Sequence, residues 1–258
     1  FRALALPWQY LLLPVRPENL VAAVKGLQAL GFAGVNVTIP HKVAMVGLMD
    51  DLTPEARAIG AVNTVIIGDD RLLGHNTDAG GFLTALTASG FDPAGRPALV
   101  LGAGGAARSV AYALARAGAG VSVWNRTEAR AVALVDALAR HLPSANLMAI
   151  PSTDNALAAA LHTSELLVNA TSVGMKGGPE GSPLPEGVSL RPGMTVFDLV
   201  YTPPLTPLLR RAQASRCHVI GGLGMLVYQG AEAFTLWTGH EAPVMVMERA
   251  ARRALGRR

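Results

Sequence analysis

Residues 97–107 read PALVLGAGGAA, and this stretch decides the fold class. Its first five residues are apolar and predict a buried β-strand, and a helical pattern follows over residues 108–117. Gly102, Gly104 and Ala107 hold the three spaced positions of a dinucleotide-binding turn. Small residues there let the backbone approach a pyrophosphate, whose charge the helix N-terminus stabilises. A tight turn without a ligand is the alternative.

A second strand pattern lies at residues 121–124, and the residues after it indicate which dinucleotide is bound. An acid at this point would bind the ribose 2′-hydroxyl group and repel a 2′-phosphate. The chain instead has Asn125, Arg126 and Thr127, and a guanidinium flanked by an amide and a hydroxyl suits a phosphate. The sequence therefore favours NADP over NAD, unless Arg126 is only an exposed residue at a helix start.

Strand and helix patterns continue to alternate after this motif. Strands are predicted at residues 166–168, 195–200 and 217–220, and a helical pattern runs from Met225 onward with a break near Gly239. This alternation predicts a doubly wound α/β sheet. The last helices are expected to fold back onto the first part of the chain.

The first part of the chain predicts a separate α/β unit. Apolar spacing predicts a helix over residues 17–30, and β-branched residues predict a strand over residues 35–39. Because an extended segment ends near Val15, the order of strand, helix and strand implies a parallel sheet. A short helix over residues 54–60 and a hairpin over residues 62–76 follow.

Composition excludes several classes of protein. The 258 residues, 50% of them hydrophobic, favour one large or two modest globular domains. No uninterrupted apolar run approaches the roughly 20 residues of a membrane-spanning helix, so we expect a soluble protein. Cys217 is the only cysteine, which excludes an intrachain disulfide and a cysteine-based metal site and favours the cytoplasm. Residues 1–7 show neither a signal-peptide pattern nor an initiator Met, as expected of a truncated chain.

The positive charge is concentrated at one end of the chain. The net charge is +4, and the excess lies largely in the tail at residues 249–258. A solvated terminal helix explains this tail, and nucleic-acid binding is the alternative. No accompanying motif supports nucleic-acid binding, so we expect none.

Two titratable residues are candidates for chemistry. Lys42 is one of only three lysines, and it follows the predicted strand at residues 35–39, where ligands gather in open α/β sheets. An amine can surrender its proton at accessible pH, whereas a guanidinium cannot. Asp78 precedes a helical pattern over residues 79–86. An ordinary surface lysine and a helix-capping aspartate explain these two residues equally well on these grounds alone.

Longer motifs resemble those of the shikimate dehydrogenase family. In chain order they are GVNVTIPHK at 34–42, GAVNT at 60–64, NTD at 76–78, NATSVGM at 169–175, DLVY at 198–201 and GLGMLVYQ at 222–229. They span nearly the whole chain in the family's order. The resemblance implies NADPH-dependent, reversible reduction of 3-dehydroshikimate to shikimate in the pathway to chorismate and the aromatic amino acids.

The resemblance also implies roles for single residues. Lys42 matches the family's proton-transferring lysine, and Asp78 matches the aspartate paired with it. Substrate contacts are implied for Thr38, Asn63, Tyr201 and Gln229. Cofactor contacts are expected at Gly102, Ala103, Gly104, Gly105, Ala106, Asn125, Arg126, Thr127, Thr171, Gly222 and Met225. No metal site is expected.

The family further implies two domains with the substrate between them. Residues 1–80 plus 223–258 would form the substrate-binding catalytic domain, and residues 81–222 would form a Rossmann-like NADP-binding domain, with a homodimer as a possible assembly. Family members begin with a strand and a Ser-x-Ser motif whose hydroxyls hold the substrate carboxylate. This chain starts just after the place of that motif, so those serines are not assigned.

Two rival functions share the same scaffold. A quinate/shikimate dehydrogenase with relaxed cofactor use is the nearer one, and the lack of an acid at Asn125 argues against its use of NAD. A non-catalytic dinucleotide-binding homologue is the other. The presence of Lys42 together with Asp78 argues against it, because a binding protein needs no proton donor.

Overall fold

The computed structural model describes residues 1–256, and in this range ten strands form two separate sheets. Arg257 and Arg258, the end of the basic tail, lie outside the described residues. No helix in the described range is long and apolar enough to cross a membrane.

The first sheet has four strands in the order β1-β3-β4-β2. Its elements are β1 (Gly34–Asn36), β2 (Asp51–Leu52), β3 (Thr64–Ile67) and β4 (Leu72–His75); α1 (Leu20–Ala29) precedes β1, and α2 (Pro54–Ile59) lies between β2 and β3 in the chain. The side chain of Thr53 accepts a hydrogen bond from the backbone of Ala56, so α2 begins with the predicted cap. The helix at 17–30, the helix at 54–60 and the hairpin are confirmed.

The predicted parallel order of this first sheet is wrong. β1 pairs antiparallel with β3, and β3 pairs antiparallel with β4, while β2 and β4 alone are parallel. The extended segment predicted to end near Val15 forms no ladder, since residues 6–16 pair with no strand, so the strand that would have required a parallel crossover is not formed. The strand predicted over residues 35–39 ends at Asn36, because the chain then turns and His41 donates its backbone N–H to Thr38.

The second sheet has six strands in the order β10-β9-β8-β5-β6-β7, and every neighbouring pair is parallel. Its strands are β5 (Pro97–Leu101), β6 (Gly120–Trp124), β7 (Leu147–Ala149), β8 (Leu166–Asn169), β9 (Thr195–Asp198) and β10 (His218–Gly221). Its preceding and connecting helices are α3 (Asp78–Ala88), α4 (Gly105–Arg116), α5 (Glu128–Ala139), α6 (Asp154–Thr163) and α7 (Pro207–Ala214). The strand order reverses between β5 and β8, which is where ligands bind in doubly wound folds.

Helices cover both faces of the second sheet, which explains why its strands are apolar throughout. Leu99 and Leu101 face one core, whereas Val100 faces the other, and all three are fully buried. The predicted doubly wound α/β fold is confirmed. Two details differ from the sequence-based expectation: α4 begins at Gly105 and not at Arg108, and the strand predicted over residues 195–200 ends at Asp198.

The C-terminal helices return to the first sheet, as predicted. α8 (Leu223–Thr238) packs against α3 so closely that a Cβ atom on Gly81 would lie 2.6 Å from the backbone nitrogen of Gln229. Further along α8, the indole of Trp237 donates to the carbonyl oxygen of Val65 in β3 over 3.0 Å. The described part of the basic tail is the end of α9 (Val244–Gly256), which has no fully buried residue and lies against α8, with Met247 Cε 3.5 Å from the Cβ position of Gly230.

Candidate active site

Lys42 and Asp78 form an ion pair between the two sheets. Lys42 lies in the turn after β1, and Asp78 is the first residue of α3. The Lys42 Nζ lies 2.5 Å from Asp78 Oδ2, and the two side chains are 14% and 5% exposed. Asp78 is not the helix cap that a structural role would require, because Thr77 precedes it at that position. The pair therefore places an amine, a candidate proton donor, in a nearly buried position.

Asn63 supports the other oxygen of the aspartate. Its Nδ2 donates to Asp78 Oδ1 over 2.9 Å and lies 3.3 Å from Gln229 Oε1 on α8. Its Oδ1 accepts the backbone N–H of Thr77 over 2.7 Å. Three motifs that lie far apart in the sequence thus meet in one hydrogen-bonded cluster around Lys42.

The other two predicted substrate residues lie outside this cluster. Thr38 is exposed in the turn that leads to Lys42, and Tyr201 is 40% exposed in the loop after β9. Among the hydrogen bonds of residues 1–256, none joins either side chain to the ion pair. Both residues are free to contact a bound molecule.

The glycine-rich loop has the features that a pyrophosphate needs. The predicted residues Gly102, Ala103, Gly104, Gly105 and Ala106 all lie between the end of β5 and the first turn of α4. Gly102 has a φ of 110°, which favours glycine, and a Cβ atom on Gly104 would meet nothing within 4 Å. The first turn of α4 leaves backbone N–H groups without intrahelical partners. These residues therefore fit the phosphates of a dinucleotide.

The cofactor loop also contacts the candidate proton donor directly. A Cβ atom on Gly105 would lie 2.9 Å from Lys42 Cβ and 3.2 Å from Lys42 Cδ. Only a glycine lets the aliphatic part of Lys42 approach α4 this closely. Sequence patterns did not indicate this contact, since Gly105 belongs to the same glycine-rich motif as Gly102 and Gly104 and nothing in the sequence sets it apart.

The segment predicted to select NADP lies next to the same loop. Gly102 donates its backbone N–H to the carbonyl oxygen of Trp124, the last residue of β6, over 2.8 Å. The side chain of Asn125 turns back and donates to the carbonyl oxygen of Thr127 over 2.8 Å. Arg126 is exposed. A guanidinium is thus available beside the loop, as a 2′-phosphate site requires.

The remaining predicted cofactor residues surround the loop and the start of α8. Thr171 lies against Gly102, with its methyl carbon 3.2 Å from the Cβ position of that glycine. Gly222 caps α8, where a side chain would overlap the backbone of Leu199. Met225 is only 7% exposed and packs in the core between α8 and the second sheet.

Asp198 organises the loop that carries Tyr201. Its carboxylate accepts hydrogen bonds from Asn169 Nδ2 over 2.9 Å, from the backbone N–H of Val200 over 3.1 Å and from Thr206 Oγ1 over 2.6 Å. Burial raises the pKa of Asp198, and these hydrogen bonds partly oppose that rise. The residue is fully buried, so its role is to hold the loop and not to contact a ligand.

Sequence patterns missed a second carboxylate near the ion pair. Glu232 on α8 is half-buried, and its Oε2 lies 2.7 Å from the Cβ position of Gly80 in the first turn of α3. Burial, followed by the negative charges of Glu55 and Asp78, raises the pKa of Glu232 to about 7. The sequence feature that could have indicated Glu232 was its position one helical turn after Gln229, a predicted substrate residue.

A doubly wound sheet whose glycine-rich turn meets a buried lysine–aspartate pair defines a dinucleotide-dependent oxidoreductase. Three family models match the chain. The shikimate dehydrogenase substrate binding domain matches residues 1–65, shikimate / quinate 5-dehydrogenase matches residues 86–176, and the shikimate 5′-dehydrogenase C-terminal domain matches residues 222–252.

Individual proteins agree with these models. A shikimate dehydrogenase (NADP(+)) of Moorella thermoacetica is 51% identical over 249 residues, which cover 96% of this chain and 83% of that protein. A crystal structure of shikimate 5-dehydrogenase from Thermus thermophilus in complex with NADP(H) and shikimate is 47% identical with a TM-score of 0.80, covering 93% of this chain and 86% of that chain. The chain belongs to the shikimate dehydrogenase family.

A quinate dehydrogenase is also similar. The protein from Corynebacterium glutamicum, in complex with NAD, is 32% identical with a TM-score of 0.80, and the match covers 89% of this chain and 81% of that chain. The rival activity therefore occurs on the same fold.

Proposed function

We propose that this chain catalyses the reversible, NADPH-dependent reduction of 3-dehydroshikimate to shikimate, a step toward chorismate and the aromatic amino acids. The observation that carries the proposal is the position of the Lys42–Asp78 pair directly beside Gly105 of the cofactor loop. Reduction of a carbonyl needs a hydride donor and a proton donor on the same substrate carbon–oxygen bond. The cofactor loop would hold the hydride donor NADPH, and Lys42 beside it would be the proton donor.

Lys42 acts as the proton donor in this reaction. Bound NADPH supplies the hydride to the carbonyl carbon. As negative charge develops on the carbonyl oxygen, the Lys42 ammonium donates its proton to that oxygen, and in the reverse direction the neutral amine accepts it. Asp78 holds the ammonium group through the 2.5 Å contact, and Asn63 fixes the orientation of the carboxylate.

Polar side chains around the pair suit a polyhydroxylated substrate. Asn63 and Gln229 already meet at the cluster, and we assign Thr38 and Tyr201 to the same substrate because both are available to a bound molecule. Amide and hydroxyl groups can donate to and accept from ring hydroxyls. A site built in this way rejects a molecule that leaves these groups unpaired.

The cofactor assignment is NADP. No acid follows β6, and Arg126 is exposed beside the loop where a 2′-phosphate would lie. Gly102 to Ala106 would hold the pyrophosphate, and Asn125, Arg126 and Thr127 would hold the adenosine phosphate. Thr171, Gly222 and Met225 are assigned to the remaining part of the cofactor.

We assign residues 1–80 plus 223–258 to the substrate-binding domain and residues 81–222 to the NADP-binding domain. The hydrogen bond from Trp237 to Val65 supports the C-terminal part of this assignment, since it ties α8 to the first sheet. We also propose a cytoplasmic location, which suits the single cysteine Cys217, and a homodimeric assembly.

The test is nicotinamide reduction by the protein with shikimate or quinate, each combined with NADP or NAD. We expect turnover with shikimate and NADP and at least tenfold lower kcat/KM for the other three pairs. Quinate has a hydroxyl group and a tetrahedral carbon where shikimate has the ring double bond, so its shape does not match a site built for shikimate, and NAD leaves Arg126 without a phosphate. Comparable turnover of quinate with NAD would assign the protein to the rival activity. Binding of NADP without turnover of either substrate would favour a non-catalytic role.

A further inference from the structure

One face of α4 lies against the elements that carry the ion pair. Gly105, Arg108 and Ser109 are spaced i, i+3 and i+4 and therefore share this face. Gly105 contacts Lys42, and Arg108 Nη1 donates to the carbonyl oxygen of Ile59 at the end of α2 over 3.4 Å. The helix whose N-terminus is suited to the cofactor is thus also the helix that touches the catalytic turn.

Ser109 makes the most buried of these contacts. It is 0% exposed, and its Oγ lies 3.1 Å from Asn76 Oδ1 and 3.1 Å from the carbonyl oxygen of Gly105. A hydroxyl has a single proton to donate, so it can serve one of these acceptors at a time. One acceptor belongs to the cofactor loop, and the other precedes α3.

Asn76 holds the first turn of the helix that presents Asp78. Its Oδ1 accepts the backbone N–H groups of Asp78 over 3.1 Å and of Ala79 over 3.3 Å. Its Nδ2 donates to the carbonyl oxygen of Ala61 over 2.8 Å, which anchors the side chain in the substrate-binding part. Asn76 is 0% exposed, so water does not compete for these bonds.

We propose that Ser109 is a positioning residue that couples occupancy of the cofactor loop to the placement of Asp78, and through Asp78 to the placement of Lys42. The inference rests on the proposed function and deepens it by assigning how the two halves of the site act together. Neither Ser109 nor Asn76 touches the reacting atoms.

The two binding events are coupled because both depend on the distance between α4 and the start of α3. The bond from Ser109 to Asn76 forms only while α4 and the start of α3 keep their present distance. A ligand at the N-terminus of α4 and a ligand at Lys42 both favour that same arrangement, because Gly105 contacts the lysine. Each ligand therefore raises the affinity for the other by the same factor.

Ser164 provides a matched control. Its hydroxyl is also buried and donates to the carbonyl oxygen four residues earlier, that of Ala160, over 2.7 Å. It lies at the end of α6, where its hydroxyl has no hydrogen bond to the first sheet among the described residues. Ser164→Ala thus removes the same kind of local bond without the connection to Asn76.

The experiment measures the binding of shikimate by calorimetry with and without saturating NADPH. Shikimate and NADPH are both reduced, so no hydride is transferred and the ratio of the two dissociation constants gives the coupling factor directly. We expect a wild-type factor well above one and a factor about fivefold smaller in Ser109→Ala, the effect of one neutral hydrogen bond. NADPH alone should bind Ser109→Ala within about twofold of wild type, because Ser109 contacts the carbonyl oxygen of Gly105, whereas a phosphate is bound by the backbone N–H groups at the start of α4.

Several outcomes overturn the inference. The inference is wrong if the wild-type coupling factor is one. It is also wrong if the factor is unchanged in Ser109→Ala, or if Ser164→Ala lowers the factor as much as Ser109→Ala does. Turnover distinguishes this failure from failure of the proposed function. If wild-type protein oxidises shikimate with NADP while Ser109→Ala keeps full coupling, only the positioning role is wrong; if wild-type protein shows no turnover, the proposed function itself is wrong.

Discussion

Gly105 and Lys42 are in van der Waals contact, with only 2.9 Å between the lysine Cβ and the place where a side chain on Gly105 would begin. This contact joins the glycine-rich loop to the candidate proton donor through nonpolar atoms. Because Gly105 packs directly against Lys42, adding one methyl group at Gly105 tests whether catalysis depends on this contact.

Gly105→Ala is expected to lower kcat by 10- to 100-fold, on the order of what a displacement of about 1 Å costs a reacting group. The added methyl group must push Lys42 or the loop aside, since 2.9 Å is too close for two carbon atoms. Steady-state kinetics with shikimate and NADP measure this loss.

Gly104→Ala is the matched control. Nothing lies within 4 Å of its Cβ position, so the free protein should keep its melting temperature. NADPH affinity should fall instead, because the methyl group occupies space that the pyrophosphate needs. Normal kcat in Gly105→Ala would show that the contact with Lys42 is dispensable.

Lys42→Ala is expected to reduce kcat by about 10²- to 10⁴-fold, the usual contribution of a positioned proton donor. NADPH should still bind, which shows that the variant is folded. Lys25→Ala removes an exposed lysine from α1 and should keep wild-type turnover. Asp78→Asn keeps the shape of the partner but removes its charge, and we expect a smaller loss of kcat. Near-normal turnover of Lys42→Ala would refute its role.

Arg126→Ala is expected to raise the dissociation constant of NADP by about 10- to 100-fold, the value of a charge-assisted hydrogen bond to phosphate. Affinity for NAD should stay the same, because NAD lacks the 2′-phosphate. Arg140→Ala removes one positive charge at the opposite end of α5. It controls for the effect that losing any positive charge has on the affinity for an anionic cofactor. Equal losses for NADP and NAD would show that Arg126 does not select the cofactor.

Glu232→Gln is expected to change how stability depends on pH. The pKa of Glu232 is raised to about 7 by burial first and then by Glu55 and Asp78, so the folded state binds its proton more tightly than the unfolded chain. Stability of the wild type therefore falls as pH rises from about 4.3, the unfolded value, to about 7. The variant lacks this fall.

Urea unfolding at pH 5 and pH 8 measures the difference. We expect the gap in unfolding free energy between wild type and Glu232→Gln to shift in favour of the variant at pH 8. Glu241→Gln, at an exposed position, should follow the wild type at both pH values. An identical change with pH in wild type and Glu232→Gln would contradict the prediction.

The longer strands of the second sheet were predictable because their signals are local. The apolar run before Gly102 indicated β5, the run after Gly120 indicated β6, and the turn at Gly102 to Ala107 follows from backbone stereochemistry within a few residues. The short strands β2 and β7 were not predicted, since two or three residues carry too little periodicity. Their place is set by the neighbouring strands.

The sequence by itself determined the class of fold, the cofactor loop and the identity of Lys42 and Asp78 as candidates, because composition, periodicity and motif order lie within the chain. Tertiary structure alone decided that Gly105 touches Lys42, that Ser109 reaches Asn76 and that the first sheet is largely antiparallel. These relationships depend on which faces of distant elements pack together. Local sequence patterns do not indicate these contacts, because the packing of the whole core determines which faces meet.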